Sequence, residues 1–286
     1  MSIFLANDTT HHLHLPGSLS LTRLLGEKNI AGRHLFGAHE VNGSQFQAAD
    51  TLVVNGDWNY LPTHYAESML TLTAHGISLG KKVWLVNASW SGLYTNPRWS
   101  SVLQSASVVT TETISHKEME KQGVTARLHL HSALDREGIP VPGCASKGLS
   151  GRCIVGAFPQ HFWVRKSDPI FRGWPAYALD KGSWGLSILK IATAGLCVTG
   201  FPTEVYAACL ARTPFLFCGN ANEICGLIRW SGIEIPVCNR REDLADLILE
   251  ARNSMESYQQ FFSWMEQQTT WGGPFVEMTD GQSKQG

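Results

Sequence analysis

Four segments with the apolar character of buried strands each end in a loop that contains asparagine. Loops of this kind bind ligands in parallel sheets, because the carboxyl ends of the strands meet helix starts whose N–H groups are free. Capping of the next helix explains any one of these loops equally well. Their recurrence at four strand ends favours a shared ligand cleft. The loops are Asn7-Asp8-Thr9, Asn55-Gly56-Asp57, Asn87-Ala88-Ser89-Trp90 and Gly219-Asn220.

A carboxylate that faces such a cleft can act as a general base, and Asp57 is the first candidate. It follows Gly56 at a strand end, where glycine permits a tight turn that leaves the carboxylate facing the crevice. Asp8 is the second candidate. His12, which follows His11 in the same loop, is the third, because imidazole titrates near neutral pH. For either aspartate an Asx-turn or a cap is the structural alternative. The histidine run lacks a matching cysteine or carboxylate set, so no metal site is predicted.

Further residues are predicted to face the cleft on the acceptor side. Between Lys147 and Lys190 seven basic residues stand against two acidic ones, with aromatic residues interleaved. Such a mixture suits a phosphate backbone with stacked bases, a set of sugar rings, or the packing of a core, and all three interpretations stay open. The predicted acceptor or cleft residues are Asn7, Thr9, His11, Asn55, His64, Asn87, Ser89, Trp90, Glu112, Trp163 and Arg165.

Short β-branched runs alternate with segments of helical periodicity, a pattern typical of parallel sheets with helical crossovers. A segment rich in Pro, Gly and Ser, Ile139–Arg152, separates two such series and predicts a linker. We therefore expect an α/β protein of two Rossmann-like domains, residues 1–145 and 146–270, followed by a loose tail, residues 271–286. The expected strands are Ser2–Ala6, Thr51–Asn55, Lys82–Asn87, Ser107–Thr111, Arg127–His131, Cys153–Ala157, Leu196–Thr199 and Pro214–Cys218. The expected helices are one around Tyr65–Leu72 and those at Ser183–Ala194, Thr203–Ala211, Asn222–Ser231 and Arg241 to about Met265.

The composition limits the partners and the location of the protein. Of its 286 residues 43% are apolar. The 23 Lys and Arg residues nearly balance the 24 Asp and Glu residues, so the chain has no overall positive charge that would attract a polyanion such as a nucleic acid. No apolar run approaches the roughly 20 residues that span a bilayer, and the start of the chain lacks the pattern of a signal peptide. The seven cysteines have no CxxC spacing, as expected of reduced thiols. A cytoplasmic protein without a membrane span is expected, and its oligomeric state is left open.

Six segments, in order along the chain, have counterparts in one family of enzymes. They are Asn7-Asp8-Thr9 with the histidines that follow, Val53–Asp57, Leu85–Trp90, Val109–Ser115, Ala207–Phe215 and Asn222–Leu227. Together they resemble the polysaccharide pyruvyltransferase-like family over about Leu5 to Ile235. The resemblance implies a GT-B-like architecture, in which two Rossmann-like domains face each other across a cleft. It also implies a transferase that uses an activated donor and needs no bound metal.

Two departures from that family bear on the donor. Thr111 stands where the family carries Arg before an acidic residue, and Glu204 with Tyr206 stands where the family carries Arg-x-His. Those cations suit phosphoenolpyruvate, because Arg forks two hydrogen bonds to a carboxylate or phosphate. Placing Glu204 there reverses the charge, which changes the interaction with an anion about 4 Å away by several kcal/mol even at an effective dielectric of about 20.

A glutamate at a helix start resembles the residue with which GT-B glycosyltransferases bind both ribose hydroxyls of a nucleotide-sugar. The adjoining helix start and the loop Gly219-Asn220 would then hold the phosphates. A first-turn glutamate favoured by the helix dipole is the structural alternative. The predicted donor-binding residues are Glu204, Tyr206, Gly219, Asn220 and Glu223.

These features predict a GT-B-type transferase whose N-terminal domain serves the acceptor and whose C-terminal domain serves the donor. The leading activity is glycosyl transfer from a nucleotide-sugar to a hydroxyl on a glycan or on a modified DNA base, with no cofactor besides the donor. Two alternatives stay open. One is polysaccharide pyruvyl transfer from phosphoenolpyruvate, and the other is a non-catalytic binding protein on the same scaffold.

Overall fold

The computed structural model of the chain describes residues 2–8, 15–35, 40–58, 63–135, 152–158, 167–171, 176–179 and 184–268. They fall into two compact units: the N-terminal unit ends at Asp135, and the C-terminal unit lies within Arg136–Thr269. The predicted boundary between residues 145 and 146, nearly all of the predicted linker and the predicted tail lie outside the described residues. In the described part of the chain no helix is long and apolar enough to cross a membrane.

A parallel sheet of six strands organises the N-terminal unit. Its strands are β1 (Ile3–Asp8), β2 (Ile30–Leu35), β3 (Thr51–Asn55), β4 (Lys82–Ala88), β5 (Ser107–Thr110) and β6 (Ala126–Leu128). Their order across the sheet is β2-β1-β3-β4-β5-β6, and each neighbouring pair is parallel. The chain therefore starts inside the sheet, adds β2 on one side, and then adds β3 to β6 on the other, which is the doubly wound, Rossmann-like pattern.

Both faces of this sheet are buried. Val53 and Val54 point to opposite faces, since side chains alternate along a strand, and both are fully buried. Phe4 packs in the cluster of Val54, while Leu5 packs in the cluster of Val53 on the other face. Cover on both faces explains why β3 and β4 are continuous apolar runs. The helices of the unit are α1 (Leu15–Leu25), α2 (Gly43–Ala48), α3 (Thr63–Ser78), α4 (Pro97–Gln104) and α5 (Thr113–Lys121).

The C-terminal unit contains a second parallel sheet, of five strands. Its strands are β7 (Cys153–Val155), β8 (Ala176–Ala178), β9 (Leu196–Thr199), β10 (Phe215–Cys218) and β11 (Val237–Cys238). Their order is β11-β10-β9-β7-β8, and every neighbouring pair is again parallel. Its helices are α6 (Trp184–Ala192), α7 (Pro202–Leu210), α8 (Asn222–Ser231), α9 (Leu244–Asn253) and α10 (Met255–Gln268).

The predicted fold class, α/β with two Rossmann-like parallel sheets, is confirmed. The sequence pattern did not predict β2, β8 and β11, and all three lie at sheet edges. In β2, exposed or half-exposed residues such as Arg33 alternate with buried ones such as His34, so the strand lacks a continuous apolar run. The other two strands have only three and two residues, too few for a period to be recognised.

The predicted helix from Arg241 to about Met265 is wrong in its continuity. A 3-10 turn, Arg241–Asp243, precedes α9, and Ser254 separates α9 from α10. The Ser254 hydroxyl donates to the carbonyl of Glu250 at 2.9 Å, as does its backbone N–H at 3.0 Å. A serine that bonds to the preceding turn competes with the regular helical hydrogen bonds and bends the chain. The spacing of apolar residues in the sequence does not reveal this break in the helix.

Candidate functional site

Three asparagines at strand ends of the N-terminal unit form one buried cluster. Asn7 and Asn87 adopt φ of 60° and 54°, a left-handed conformation that Asn tolerates better than most residues. Asn7 Nδ2 donates to the backbone carbonyl of Asn55 at 2.8 Å, and Asn87 Nδ2 donates to Asn55 Oδ1 at 3.1 Å. The structure thus joins the predicted cleft residues from the carboxyl ends of β1, β3 and β4.

Ser132 determines which way the asparagine amides point. Its backbone N–H donates to Asn87 Oδ1 at 2.9 Å, and its hydroxyl accepts from Asn87 Nδ2 at 2.9 Å. The Nδ2 of Asn87 therefore points to Asn55, and the side-chain oxygen of Asn55 accepts its hydrogen bond. The buried Nδ2 of Asn55 is left without a hydrogen-bond partner in the described part of the chain.

Asp57 follows a glycine that lies close against β4. The Gly56 N–H donates to the Val86 carbonyl at 2.6 Å, so the chain continues alongside β4 beyond the end of β3. A Cβ on Gly56 would lie 3.0 Å from both Ala88 Cα and Val86 O. This close approach of two backbones fixes the direction in which the chain leaves β3, and with it the position of Asp57.

Asp57 and His131 form a largely buried pair. Asp57 Oδ2 lies 3.6 Å from His131 Nε2, and the two side chains are 12% and 4% exposed. His131 Nδ1 accepts the N–H of Ala133 at 3.1 Å. A neutral imidazole whose Nδ1 accepts carries its proton on Nε2, the nitrogen that faces Asp57. At 3.6 Å the two atoms are too far apart for a hydrogen bond, but the pair places a carboxylate beside an imidazole in a largely buried position.

Asp8, the second base candidate, is an ion-pair residue in the structure. Its carboxylate binds Arg33, whose guanidinium also donates to Glu27 at 2.6 Å and to Thr22 at 3.1 Å. The guanidinium of Arg33 thus occupies the Asp8 carboxylate. Asp57 is accordingly the stronger candidate of the two.

The other predicted cleft residues of this unit have varied surroundings. Glu112 is buried and caps α5, its carboxylate accepting from the backbone N–H groups of Ile114 and Ser115. His64 is exposed at the start of α3. Ser89 is buried, and the Trp90 indole packs edge-on against Tyr94 with 5.5 Å between ring centroids. The predicted site residues outside the described part of the chain are Thr9, His11, His12, Trp163 and Arg165.

Glu204 lies in the first turn of α7, beside the carboxyl ends of β7 and β9. Its Oε2 accepts the Ala157 N–H at 2.9 Å and the Thr199 hydroxyl. Burial raises the pKa of the Glu204 carboxyl, while the hydrogen bonds from Thr199 and Ala157 act to lower it. The remaining predicted donor residues differ in exposure. Tyr206 and Glu223 are buried, Gly219 is half-buried with φ of 151°, and Asn220 is exposed.

The helix starts of the two units are capped differently. In the N-terminal unit, Asn42, Asn96 and Glu112 each accept a backbone N–H at the start of α2, α4 and α5. In the C-terminal unit, α7 and α8 follow Phe201 and Ala221, which make no side-chain capping bond. These two starts follow β9 and β10. Backbone N–H groups that no cap occupies suit an anion such as a phosphate.

His131, Ser132, Gly156 and Thr199 belong to these sites, although the sequence analysis did not select them. His131 and Thr199 are the last residues of the predicted strands Arg127–His131 and Leu196–Thr199. The search for polar residues at strand ends could therefore have found both. No pattern in the sequence marked Gly156, because its role depends on a contact with Glu204, which is distant in sequence. Among the described residues no cluster of three His, Cys, Asp or Glu side chains could hold a metal ion.

Two Rossmann-like parallel sheets, each in its own unit, define the GT-B class of fold. No protein-family model and no curated protein matches the sequence. Among solved structures, S. aureus MnaA with UDP is similar at 10% identity and a TM-score of 0.61, over 97% of this chain and 94% of that one.

Two other solved structures share the fold. The UDP-GlcNAc 2-epimerase of Neisseria meningitidis, bound to UDP-GlcNAc, has 10% identity and a TM-score of 0.57 over 98% of this chain and 99% of that one. An α-glucosyltransferase in complex with UDP-glucose and DNA containing an abasic site has 9% identity and a TM-score of 0.54 over 98% of each chain. At such identities the likeness establishes the fold, and the relation to pyruvyltransferases stays a prediction.

Proposed function

We propose that this protein transfers a glycosyl group from a nucleotide-sugar to a hydroxyl of an acceptor. The observation that carries the proposal is the Asp57–His131 pair, a largely buried carboxylate whose Oδ2 lies 3.6 Å from His131 Nε2. A base of this kind is what a hydroxyl needs in order to attack a sugar. In the proposal the N-terminal unit binds the acceptor, and the C-terminal unit binds the donor.

The reaction then proceeds with a balanced exchange of bonds. The acceptor oxygen forms a bond to the anomeric carbon while the bond from that carbon to the phosphate oxygen breaks. Asp57 takes the hydroxyl proton, and the nucleotide leaves with the electron pair of the broken bond. In the proposal the imidazole of His131, whose Nε2 lies 3.6 Å from Asp57 Oδ2, interacts electrostatically with the carboxylate.

Features of the C-terminal unit support a nucleotide-linked donor. The starts of α7 and α8 have no side-chain capping bond, and the positive end of a helix dipole attracts an anion such as a phosphate. Glu204 offers a carboxylate beside one of these starts, suited to ribose hydroxyls. The similar solved structures carry UDP, UDP-GlcNAc and UDP-glucose, so uridine nucleotides are the first donors to test.

The acceptor is a hydroxyl on a glycan or on a modified DNA base. The half-buried Trp90 supplies an aromatic ring at the end of β4, and such rings stack on sugars and on bases alike. DNA is part of one of the similar structures, the α-glucosyltransferase complex. Both acceptor classes therefore belong in the assay.

A binding panel tests the proposal before any acceptor is known. The thermal stability of the full chain is measured with UDP, GDP, ADP and CMP, with their sugar conjugates, and with phosphoenolpyruvate. Stabilisation by one nucleotide and its sugar conjugates supports glycosyl transfer, since a ligand that binds only the folded state raises its stability. Stabilisation by phosphoenolpyruvate alone would support pyruvyl transfer instead. For each donor that binds, NMR then distinguishes a transferred sugar from one that is epimerised in place.

A further inference from the structure

Cys218 and Cys238 lie directly opposite each other at the ends of two neighbouring strands. Cys218 is the last residue of β10, Cys238 is the last residue of β11, and the parallel register pairs the two. Opposed side chains of a sheet lie on the same face, and neighbouring strands are about 5 Å apart. A disulfide joins residues whose Cα atoms are about 4.4–6.8 Å apart. The backbone thus holds the two cysteines at a separation that a disulfide can bridge.

The two thiols also form a hydrogen-bonded chain. The Cys238 sulfur accepts from the Cys218 thiol, and the Cys238 thiol donates to the carbonyl of Arg240, with 3.0 Å between sulfur and oxygen. The bond from Cys218 lowers the pKa of Cys238, because it stabilises the thiolate, whereas burial acts to raise that pKa. Burial raises the pKa of Cys218. The pair therefore combines a thiol that ionises more readily with one that keeps its proton, as thiol oxidation requires.

The strand register places no other two cysteines of the described chain opposite each other. Cys153 and Cys197 lie on the neighbouring strands β7 and β9, but Cys153 is paired with Leu196 and Cys197 with Ile154. Because side chains alternate along a strand, Cys153 and Cys197 point to opposite faces of the sheet. A cross-link formed in the folded state should therefore join Cys218 to Cys238.

An oxidant can reach the pair through local opening at the sheet edge. Both side chains are fully buried in the folded state. However, β11 is an edge strand of two residues, and a segment held by so few backbone hydrogen bonds opens at a lower free energy than the whole unit. The Gly219 N–H donates to the Cys238 carbonyl at 2.9 Å, so the pair lies where the Gly219-Asn220 loop begins. A cross-link would tether the edge strand to β10 at this point.

We infer that Cys218 and Cys238 are a redox-sensitive pair that forms a reversible disulfide when the protein meets a peroxide. The Cys238 thiolate attacks one oxygen of hydrogen peroxide, which breaks the O–O bond, gives a sulfenic acid and releases hydroxide. The Cys218 sulfur then attacks the sulfur of the sulfenic acid, so that the S–S bond forms and the S–O bond breaks. With the protons of the two thiols, both peroxide oxygens leave as water. A thiol reductant reverses the reaction by exchange. This site goes beyond the proposed function and does not depend on it.

Peptide mapping of the full chain tests the inference. The reduced protein is treated with hydrogen peroxide under native conditions, and the remaining thiols are alkylated before digestion without reductant. We expect one cross-linked peptide pair, joined through Cys218 and Cys238, with the loss of both alkylation sites and their recovery after dithiothreitol. Cys238→Ala should abolish the cross-link. Cys225→Ala, at a half-buried cysteine of helix α8, is the matched control and should keep it.

The same oxidation in urea separates the strand register from random encounters among the seven cysteines. In the unfolded chain we expect the link between Cys218 and Cys238 to be one of several. The inference would be overturned if the native protein gave the same mixture as in urea. It would also be overturned if Cys218 and Cys238 both stayed open to alkylation at a peroxide concentration that oxidises Cys225. If Cys238→Ala does not fold, the native and urea maps of the parent decide the question. Either result leaves the proposed function intact, because that proposal is tested by nucleotide binding.

Discussion

At the scale of single residues, the surroundings of two aspartates separate a base from an ion-pair residue. Asp8 is the last residue of β1, and Asp57 lies two residues beyond the end of β3 in the same sheet. Asp8 forms an ion pair with Arg33, whereas Asp57 Oδ2 lies 3.6 Å from His131 Nε2. The guanidinium of Arg33 occupies the Asp8 carboxylate in an ion pair. This difference in partner supports the proposal that Asp57 is the base.

Replacing each aspartate by asparagine tests this assignment. Asp57→Asn keeps the shape but loses the proton acceptor, so we expect turnover to fall roughly 10²–10⁴-fold, the usual share of a positioned general base, with little change in melting temperature. Asp8→Asn should lower the melting temperature through the loss of its ion pair and leave turnover near that of the parent. Single-turnover rates and thermal melts of both variants provide the measurement. If Asp8→Asn lowered turnover and Asp57→Asn lowered only the melting temperature, Asp8 would be the base and Asp57 a structural residue.

The raised pKa of Glu204 has a consequence for stability that depends on pH. A carboxyl whose pKa is higher in the folded state than in the unfolded state binds its proton more tightly when folded. Its contribution is therefore full at acid pH and is lost as the pH rises through the folded-state pKa. Glu204→Gln does not titrate, so the melting temperature of the variant minus that of the parent should grow from pH 4 to pH 7. The exposed Glu242→Gln serves as the control, and a difference for Glu204→Gln that stays constant with pH would contradict the pKa shift.

At the scale of elements, the helix starts of the two units differ in their side-chain caps. The starts of α2, α4 and α5 are capped by side chains of the protein, whereas those of α7 and α8 are not. A capped start gains stability, and an uncapped start keeps N–H groups for a ligand. This contrast supports the proposal that the donor binds to the C-terminal unit. Glu112, one of the predicted cleft residues, forms one of these caps.

The capping role of Glu112 leads to a prediction for stability. Glu112→Ala removes the acceptor for the N–H groups of Ile114 and Ser115, so we expect unfolding to become easier by about 0.5–2 kcal/mol. Nucleotide affinity should not change. Chemical denaturation and calorimetry make the comparison, with the exposed Glu120→Ala on the same helix as the control. A Glu112→Ala protein of normal stability that has lost acceptor turnover would restore Glu112 to the site.

The elements that the sequence revealed are those whose burial leaves a strong pattern. The strands β3 and β9 matched their predicted bounds, because strands buried on both faces are continuous apolar runs. Edge strands and the break at Ser254 left no such pattern. Within the candidate site, Asn55, Asp57 and Asn87 were predictable because they stand at strand ends. The roles of Ser132 and Gly156 depend on contacts between residues distant in sequence, which a single sequence does not show.

At the scale of the whole molecule, the assignment of the donor predicts where ligand protection appears. A nucleotide at a hundred times its Kd should raise the free energy of unfolding by about 2.7 kcal/mol through mass action. Hydrogen exchange read by mass spectrometry should then show slower exchange at the starts of α7 and α8. Protection confined to the strand ends of the N-terminal unit would place the nucleotide there and contradict the assignment.

The claim that this GT-B chain is a glycosyltransferase is tested most directly by following both products of one reaction. The full chain is incubated with a nucleotide-sugar that binds it, in the presence of oligosaccharides or of duplex DNA that carries hydroxymethylated bases. Released nucleotide and glycosylated acceptor are then quantified by mass spectrometry. We predict that the two products appear in equal amounts, and that Asp57→Asn slows both roughly 10²–10⁴-fold. Conversion of the nucleotide-sugar to an epimer without a glycosylated acceptor, or transfer that proceeds at the parent rate in Asp57→Asn, would contradict the account.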